Sequence, residues 1–202
     1  ALPAVDPLGH AVLHIGAVGG DGDRRRPRQR LERGNRGHQF HPVVGGQGLA
    51  AGKLALSVAC YPKGHAESRN FDHDLDVLLA KQRLGADFAI TQLFFLPSHY
   101  QRLVDRVRAM GCDIPIIPGI MPITSYGQIR RFAELSGTDV PAELVARIEA
   151  VKEDKAAVRR IGLEAAVDMC CELLDSGAPG LHYYTLNRSR ATTELRTMLA
   201  RR

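Results

Sequence analysis

Phe88-Ala89-Ile90-Thr91-Gln92 is a short apolar run that ends on a carboxamide, and it lies between two helical patterns. Upstream, Asp72 to Leu84 places Leu75, Leu78 and Leu79 on one face and stops at Gly85. Downstream, Pro97 opens a helix to Met110, with Tyr100, Leu103, Val104 and Val107 at helical spacing and Gly111 at its end. Strands separated by helices require right-handed crossovers and a parallel sheet, and short apolar strands suit a sheet covered on both faces. The class is α/β.

The same alternation continues outward. Leu54 to Cys60 is a strand before it, and Ile114 to Ile117 and Leu181 to Thr185 are strands after it. Ser125 caps a helix through Leu135, Pro141 starts another through Val151, a longer one runs from about Lys155 to Leu174 before Gly177, and Thr192 to Leu199 is the last. A closed (β/α)8 TIM barrel needs eight strand–helix units and about 250 residues. Four good strands follow residue 50 and at most one or two precede it, so the expectation is an incomplete barrel or an open sheet.

Residues 1–50 differ in character. They are rich in Gly, Arg, His and Pro, with Phe40 as the one aromatic residue and Ala11 to Ile15 as the one apolar run. They hold seven arginines against four acids, so most of the net charge of +5 sits there and the rest of the chain is nearly neutral. The run Arg24 to Arg30 has no aromatic interleaving for base stacking and reads as solvated rather than as a nucleic-acid site. No stretch approaches the ~18 apolar residues of a membrane span, and no signal peptide is read at the start, so the expected compartment is the cytoplasm. Cys60, Cys112, Cys170 and Cys171 form no CxxC and have no His at ligand spacing; they read as reduced, mostly buried thiols, with no metal site.

Each strand ends on residues suited to binding. Tyr61 to His65 puts an aromatic ring and an imidazole on one loop, and Asp74 and Lys81 follow two turns apart on one helical face, either a grip for a planar phosphate-bearing cofactor or a plain solvated surface. Gln92 offers a donor and an acceptor to a heterocycle edge, or is a buried structural amide. Pro118-Gly119 is a stiff turn whose glycine lets backbone approach a ligand. Arg188, just beyond Tyr184, can pair with a carboxylate or simply face solvent. A P-loop, a GxGxxG and a Ser/His/Asp set are absent from the sequence.

Four phrases, taken in order, resemble the methylenetetrahydrofolate reductase family over residues of about 54 to 200. They are Ala59-Cys60-Tyr61-Pro62 with His65, Gly85 to Phe95 around Ala89-Ile90-Thr91-Gln92, Ile116 to Pro122, and His182-Tyr183-Tyr184-Thr185-Leu186-Asn187-Arg188. The resemblance implies a TIM barrel in which NAD(P)H reduces FAD and the flavin reduces methylenetetrahydrofolate to methyltetrahydrofolate, with the protein supplying orientation and electrostatics. It implies that Ala59, Tyr61, His65, Asp74 and Lys81 line the FAD. It places Gln92 at the pterin, and Gln128, Phe132 and Arg188 where folate or nicotinamide is held, with Tyr184 on the same strand end. Val77 and Ala80 stand where relatives often carry polar side chains on the flavin helix.

The family's first half also supplies a glutamate that acts as the acid opening the folate ring, and a Leu-Arg-Gly-Asp phrase whose aspartate lies beside the flavin. Neither is found here; Glu32 and the acids of Gly20-Asp21-Gly22-Asp23 are given neither role, and the catalytic residue is left unassigned. Residues 1–50 are expected to be an irregular segment, read as the product of a shifted frame in GC-rich DNA or of a truncated or remodelled gene, and 51–202 the carboxyl half of the barrel domain. Half a barrel exposes a sheet edge, which implies homo-oligomers or association with another chain. The alternative to a reductase is an inactive homologue or a partner subunit lending half a barrel.

Overall fold

The computed structural model describes residues 55–136 and 140–202; the expectations for residues 1–50 lie outside the described residues. Strand β1 (Ser57–Cys60) leads into helix α1 (Phe71–Arg83), then β2 (Phe88–Thr91), α2 (Pro97–Ala109), β3 (Ile116–Ile117) and β4 (Gly119–Ile120). Helices α3 (Tyr126–Ser136), α4 (Ala142–Glu149) and α5 (Lys155–Asp175) follow, then β5 (His182–Tyr183) and α6 (Arg190–Leu199).

Among the described residues every strand pairing is parallel. β1 pairs with β2 from Ser57↔Phe88 to Cys60↔Thr91, and β2 pairs with β3 through Ala89↔Ile116 and Ile90↔Ile117. The third strand position is split. Pro118 has no N–H to continue a ladder; past it the chain turns from β2 to β5, pairing Gly119↔His182 and Ile120↔Tyr183. Each strand position therefore lies beside the next in sequence, joined by helical crossovers, as the alternation predicts.

The helix boundaries follow local chemistry. Asn70, unread in the sequence, caps α1 by accepting from His73 N at 2.9 Å, and Asp154 caps α5 by accepting from Ala156 N and Ala157 N. The three stop glycines, Gly85, Gly111 and Gly177, take φ of 99°, 85° and 90°, the left-handed region open to glycine. α5 is buried along nine positions, among them Ile161, Val167 and Leu173, because α2, α4 and α6 pack against it and its apolar residues join the cluster of Ile116 and Ile120.

Two apolar clusters hold the layers. Leu75, Leu78, Leu103, Val107, Ile116, Ile120, Leu163 and Leu195 pack between the strands and α1, α2, α5 and α6. Leu93, Ile123, Ile129, Phe132, Ile148, Val158 and Ile161 pack beneath α3, α4 and α5, beside the strand ends. Gly162 joins the two: a Cβ there would lie 1.8 Å from the Ile123 carbonyl oxygen, so α5 presses backbone against the segment after β4. The cysteines are free, three of them buried.

Candidate functional site

At the end of β1 the loop Tyr61 to Asn70 is organised by one carboxylate. Asp74, in the first turn of α1, accepts from His65 N at 2.8 Å and from the Ser68 hydroxyl. Gly64, at φ 96°, lets the loop reverse over Asp74. The Tyr61 and His65 rings meet edge to face at 4.7 Å. His65 Nδ1 accepts from Glu67 N, so in the neutral ring the proton sits on Nε2. Lys81, at the far end of α1, donates to the Ala59 carbonyl at 2.7 Å. Burial holds its ammonium below the usual lysine range, partly offset by the Cys60 thiol and the Asp74 carboxylate. The five residues assigned to the flavin thus form one group around the β1 end.

The five residues assigned to folate line a different space. Gln92, Gln128, Phe132, Tyr184 and Arg188 share a cleft of about 750 Å³ at the ends of β2, β4 and β5, with Leu93, Met121 and the further arginines 131, 159 and 190. Phe132 is almost wholly buried and stacks on Phe95 at 5.7 Å, forming part of the apolar floor. The two carboxamides are oriented by backbone. Gln92 Oε1 accepts from Leu93 N at 2.9 Å, and Gln128 Oε1 accepts from Thr124 N and Ser125 N at 2.6 and 3.0 Å. Because N–H donors fix each oxygen, each side chain is left its NH2 to offer a ligand.

Three contacts within the protein shape the cleft. Gln128, at the third position of α3, reaches back to Ser125 N, the glutamine half of a capping box at the helix start where Ser125 is expected to cap. Gly119 makes its close approach inside the protein: a Cβ would lie 2.4 Å from Thr91 O and 2.5 Å from Tyr184 Cε2. Tyr184 spends its hydroxyl on Thr91 O at 2.9 Å, which leaves its ring to wall the cleft.

Arg188 is presented by a strained turn. Arg188 N bonds to Thr185 O at 2.8 Å around Leu186 and Asn187, both at positive φ (48° and 60°), a type I′ turn that leucine rarely enters. The two groups of residues touch through the sheet, where Gln92 N donates to Cys60 O at 2.8 Å. Arg131 and Arg159 were missed in the sequence. Arg131 lies three residues from Gln128, hence on its face of α3, which the 3.6 period could have revealed; Arg159 reaches the cleft through tertiary packing.

Comparison with known proteins decides the kinship. The sequence profile of the family described as methylenetetrahydrofolate reductase matches residues 49–200. The chain belongs to the methylenetetrahydrofolate reductase family. It is 42% identical over 143 residues to the probable methylenetetrahydrofolate reductase (NADPH) of Caenorhabditis elegans, covering 70% of this chain and 22% of that protein. It is 38% identical over 143 residues to methylenetetrahydrofolate reductase (NADH) 1 of Arabidopsis thaliana, covering 66% and 24%. The chain thus spans about a quarter of the length of these two curated relatives. A solved structure, an uncharacterized protein from Clostridium thermocellum that binds two copies of 5-methyl-5,6,7,8-tetrahydrofolic acid, superimposes with a TM-score of 0.50 at 13% identity. It covers 74% of this chain and 55% of that one, which supports the fold.

Among the described residues no helix is long and apolar enough to cross a membrane, and no group of three His, Cys, Asp or Glu could hold a metal.

Proposed function

We propose that this chain forms the nucleotide- and folate-holding wall of a methylenetetrahydrofolate reductase site, serving the NAD(P)H-dependent reduction of 5,10-methylenetetrahydrofolate to 5-methyltetrahydrofolate. One observation carries the reading: the flavin-assigned residues share one place, the folate-assigned residues share another, and the Gln92–Cys60 backbone bond makes the two neighbours.

The β1 end fits FAD. Ala59 is exposed in mid-strand with only a methyl group, leaving the strand face open to a flat ring. The Lys81 ammonium and the His65 N–H are donors suited to phosphate or ribose oxygens, on a loop that Asp74 holds. Val77 and Ala80, half-buried on α1, add no polar contact. When bound, the flavin would carry hydride from the reduced nicotinamide to the folate. The chain's own residues bind and orient: Gln92 and Gln128 offer NH2 groups to a pterin edge, Phe132 and Tyr184 give it apolar walls, and Arg188 meets a ligand carboxylate. The cleft contains no Asp or Glu among the described residues. The acid that opens the folate ring therefore comes from outside the described residues, or from another chain paired with the edge of β1 that no described strand covers.

The test is a titration of the purified full chain with FAD, followed by anaerobic addition of NADPH. Saturable quenching of flavin fluorescence that is weakened by Lys81→Met, then bleaching of the yellow band, supports the reading. A folded chain that takes up no flavin overturns it.

A further inference from the structure

The cleft carries four arginines, 131, 159, 188 and 190, and no Asp, Glu or Lys among its described lining residues. Their charges are not equivalent. Arg159 is held by Glu194 of α6, to which its Nε and Nη2 both donate, so its charge is largely answered within the protein. Arg131, Arg188 and Arg190 form no ion pair with any described acid. Leu93, Met121 and Phe132 lie in the same wall, so the positive field acts beside a low-dielectric surface that focuses it.

We propose that this cleft selects the 2′-phosphorylated nicotinamide dinucleotide, NADPH, over NADH, with Arg131 and Arg190 as the specificity-determining residues. The inference rests on the reading above that the reduced nicotinamide uses this cleft; it adds which nucleotide enters. In Rossmann folds, sites for the unphosphorylated nucleotide present a carboxylate to the ribose 2′-hydroxyl and sites for the phosphorylated one an arginine; the fold here is different, but the charge logic is the same. A carboxylate here would bond the 2′-hydroxyl and repel the 2′-phosphate, and the cleft has none among its described lining residues. A 2′-phosphate brings close to two negative charges and three acceptor oxygens, and a guanidinium fork pairs with two of them at once. Arg188, which closes its turn, remains for a carboxylate or the pyrophosphate, while Arg131 on α3 and Arg190 at the start of α6 are the further cations that the smaller anion load of NADH would leave unmatched.

The test uses fragments that need no flavin. The purified full chain is titrated calorimetrically with 2′,5′-ADP, with its isomer 3′,5′-ADP, and with 5′-AMP. The 2′-isomer binds about tenfold or more tightly than the 3′-isomer, and Arg131→Ala or Arg190→Ala, each checked for an unchanged melting profile, lowers the affinity for 2′,5′-ADP about tenfold while altering that for 5′-AMP far less. Equal affinity for the two isomers means capture of charge alone and overturns the inference, as does selectivity that survives in both variants. If a folded chain binds none of the three nucleotides, the underlying assignment of nicotinamide to this cleft fails instead.

Discussion

The hydroxyl of Tyr184 donates to the main-chain carbonyl of Thr91 across 93 residues of sequence, at 2.9 Å. Thr91 is fully buried, and its own hydroxyl accepts from Gly119 N at 2.8 Å. The last strand is thereby tied to β2 one residue before Gln92, with Gly119 between them and no room for a side chain. The carboxamide that faces the cleft owes its position to this tie.

Tyr184→Phe removes the donor and leaves a carbonyl without it, which costs about 1–2 kcal/mol in urea unfolding. Gly119→Ala forces the strands apart and costs about 1–3 kcal/mol. Either variant should weaken folate binding without touching the arginines. Stability unchanged in both would show that the tie is incidental.

Gly162 gives a case where propensity and packing oppose one another. Alanine in a helix interior is favoured over glycine by about 1 kcal/mol. The Cβ would nevertheless lie 1.8 Å from Ile123 O, so Gly162→Ala should lower stability by about 1–3 kcal/mol. A raised melting temperature would refute the close packing of α5 on this segment.

Leu186 sits at φ 48° and is 43% exposed, so it pays backbone strain while burying little. Leu186→Gly should raise stability by up to about 1 kcal/mol, after the entropy cost of glycine, while loosening the turn that presents Arg188. Thermal melts and folate titrations of the same variant check both halves of the expectation.

Burial pushes the Cys60 and Cys170 thiols from 9.0 up to about 12. A folded pKa above the unfolded one means that the contribution to stability is complete below pH 9.0 and is lost as pH rises through about 12. Lys81 works the other way: its lowered pKa favours folding as pH rises towards 10.5. Replacing both cysteines with alanine should therefore flatten the alkaline loss of stability, measured by urea unfolding between pH 9.0 and about 12. An equally steep loss would mean that the thiols are not buried as described.

The strand–helix alternation was legible because apolar runs such as Phe88 to Thr91 and helix stops such as Gly85 are local signals. Gln92, Arg188 and the β1 loop were legible through phrases of the family. Three things were not. The break of one strand position at Pro118 depends on which neighbour each half pairs with. The use of the Tyr184 hydroxyl and of Gly119 is a relation between strands, invisible in either stretch alone. Of the further arginines of the cleft, Arg159 on α5 and Arg190 at the start of α6 reach it through tertiary packing, at spacings that no motif records.

The most direct test of the central claim, two adjacent binding places at neighbouring strand ends, is a difference spectrum of the FAD-loaded full chain titrated with 5-methyltetrahydrofolate. The account predicts a saturable perturbation of the flavin band that Gln92→Leu and Arg188→Ala each weaken about tenfold or more. Flavin that binds but is unaffected by folate at any concentration, or a perturbation that both variants leave intact, would contradict it.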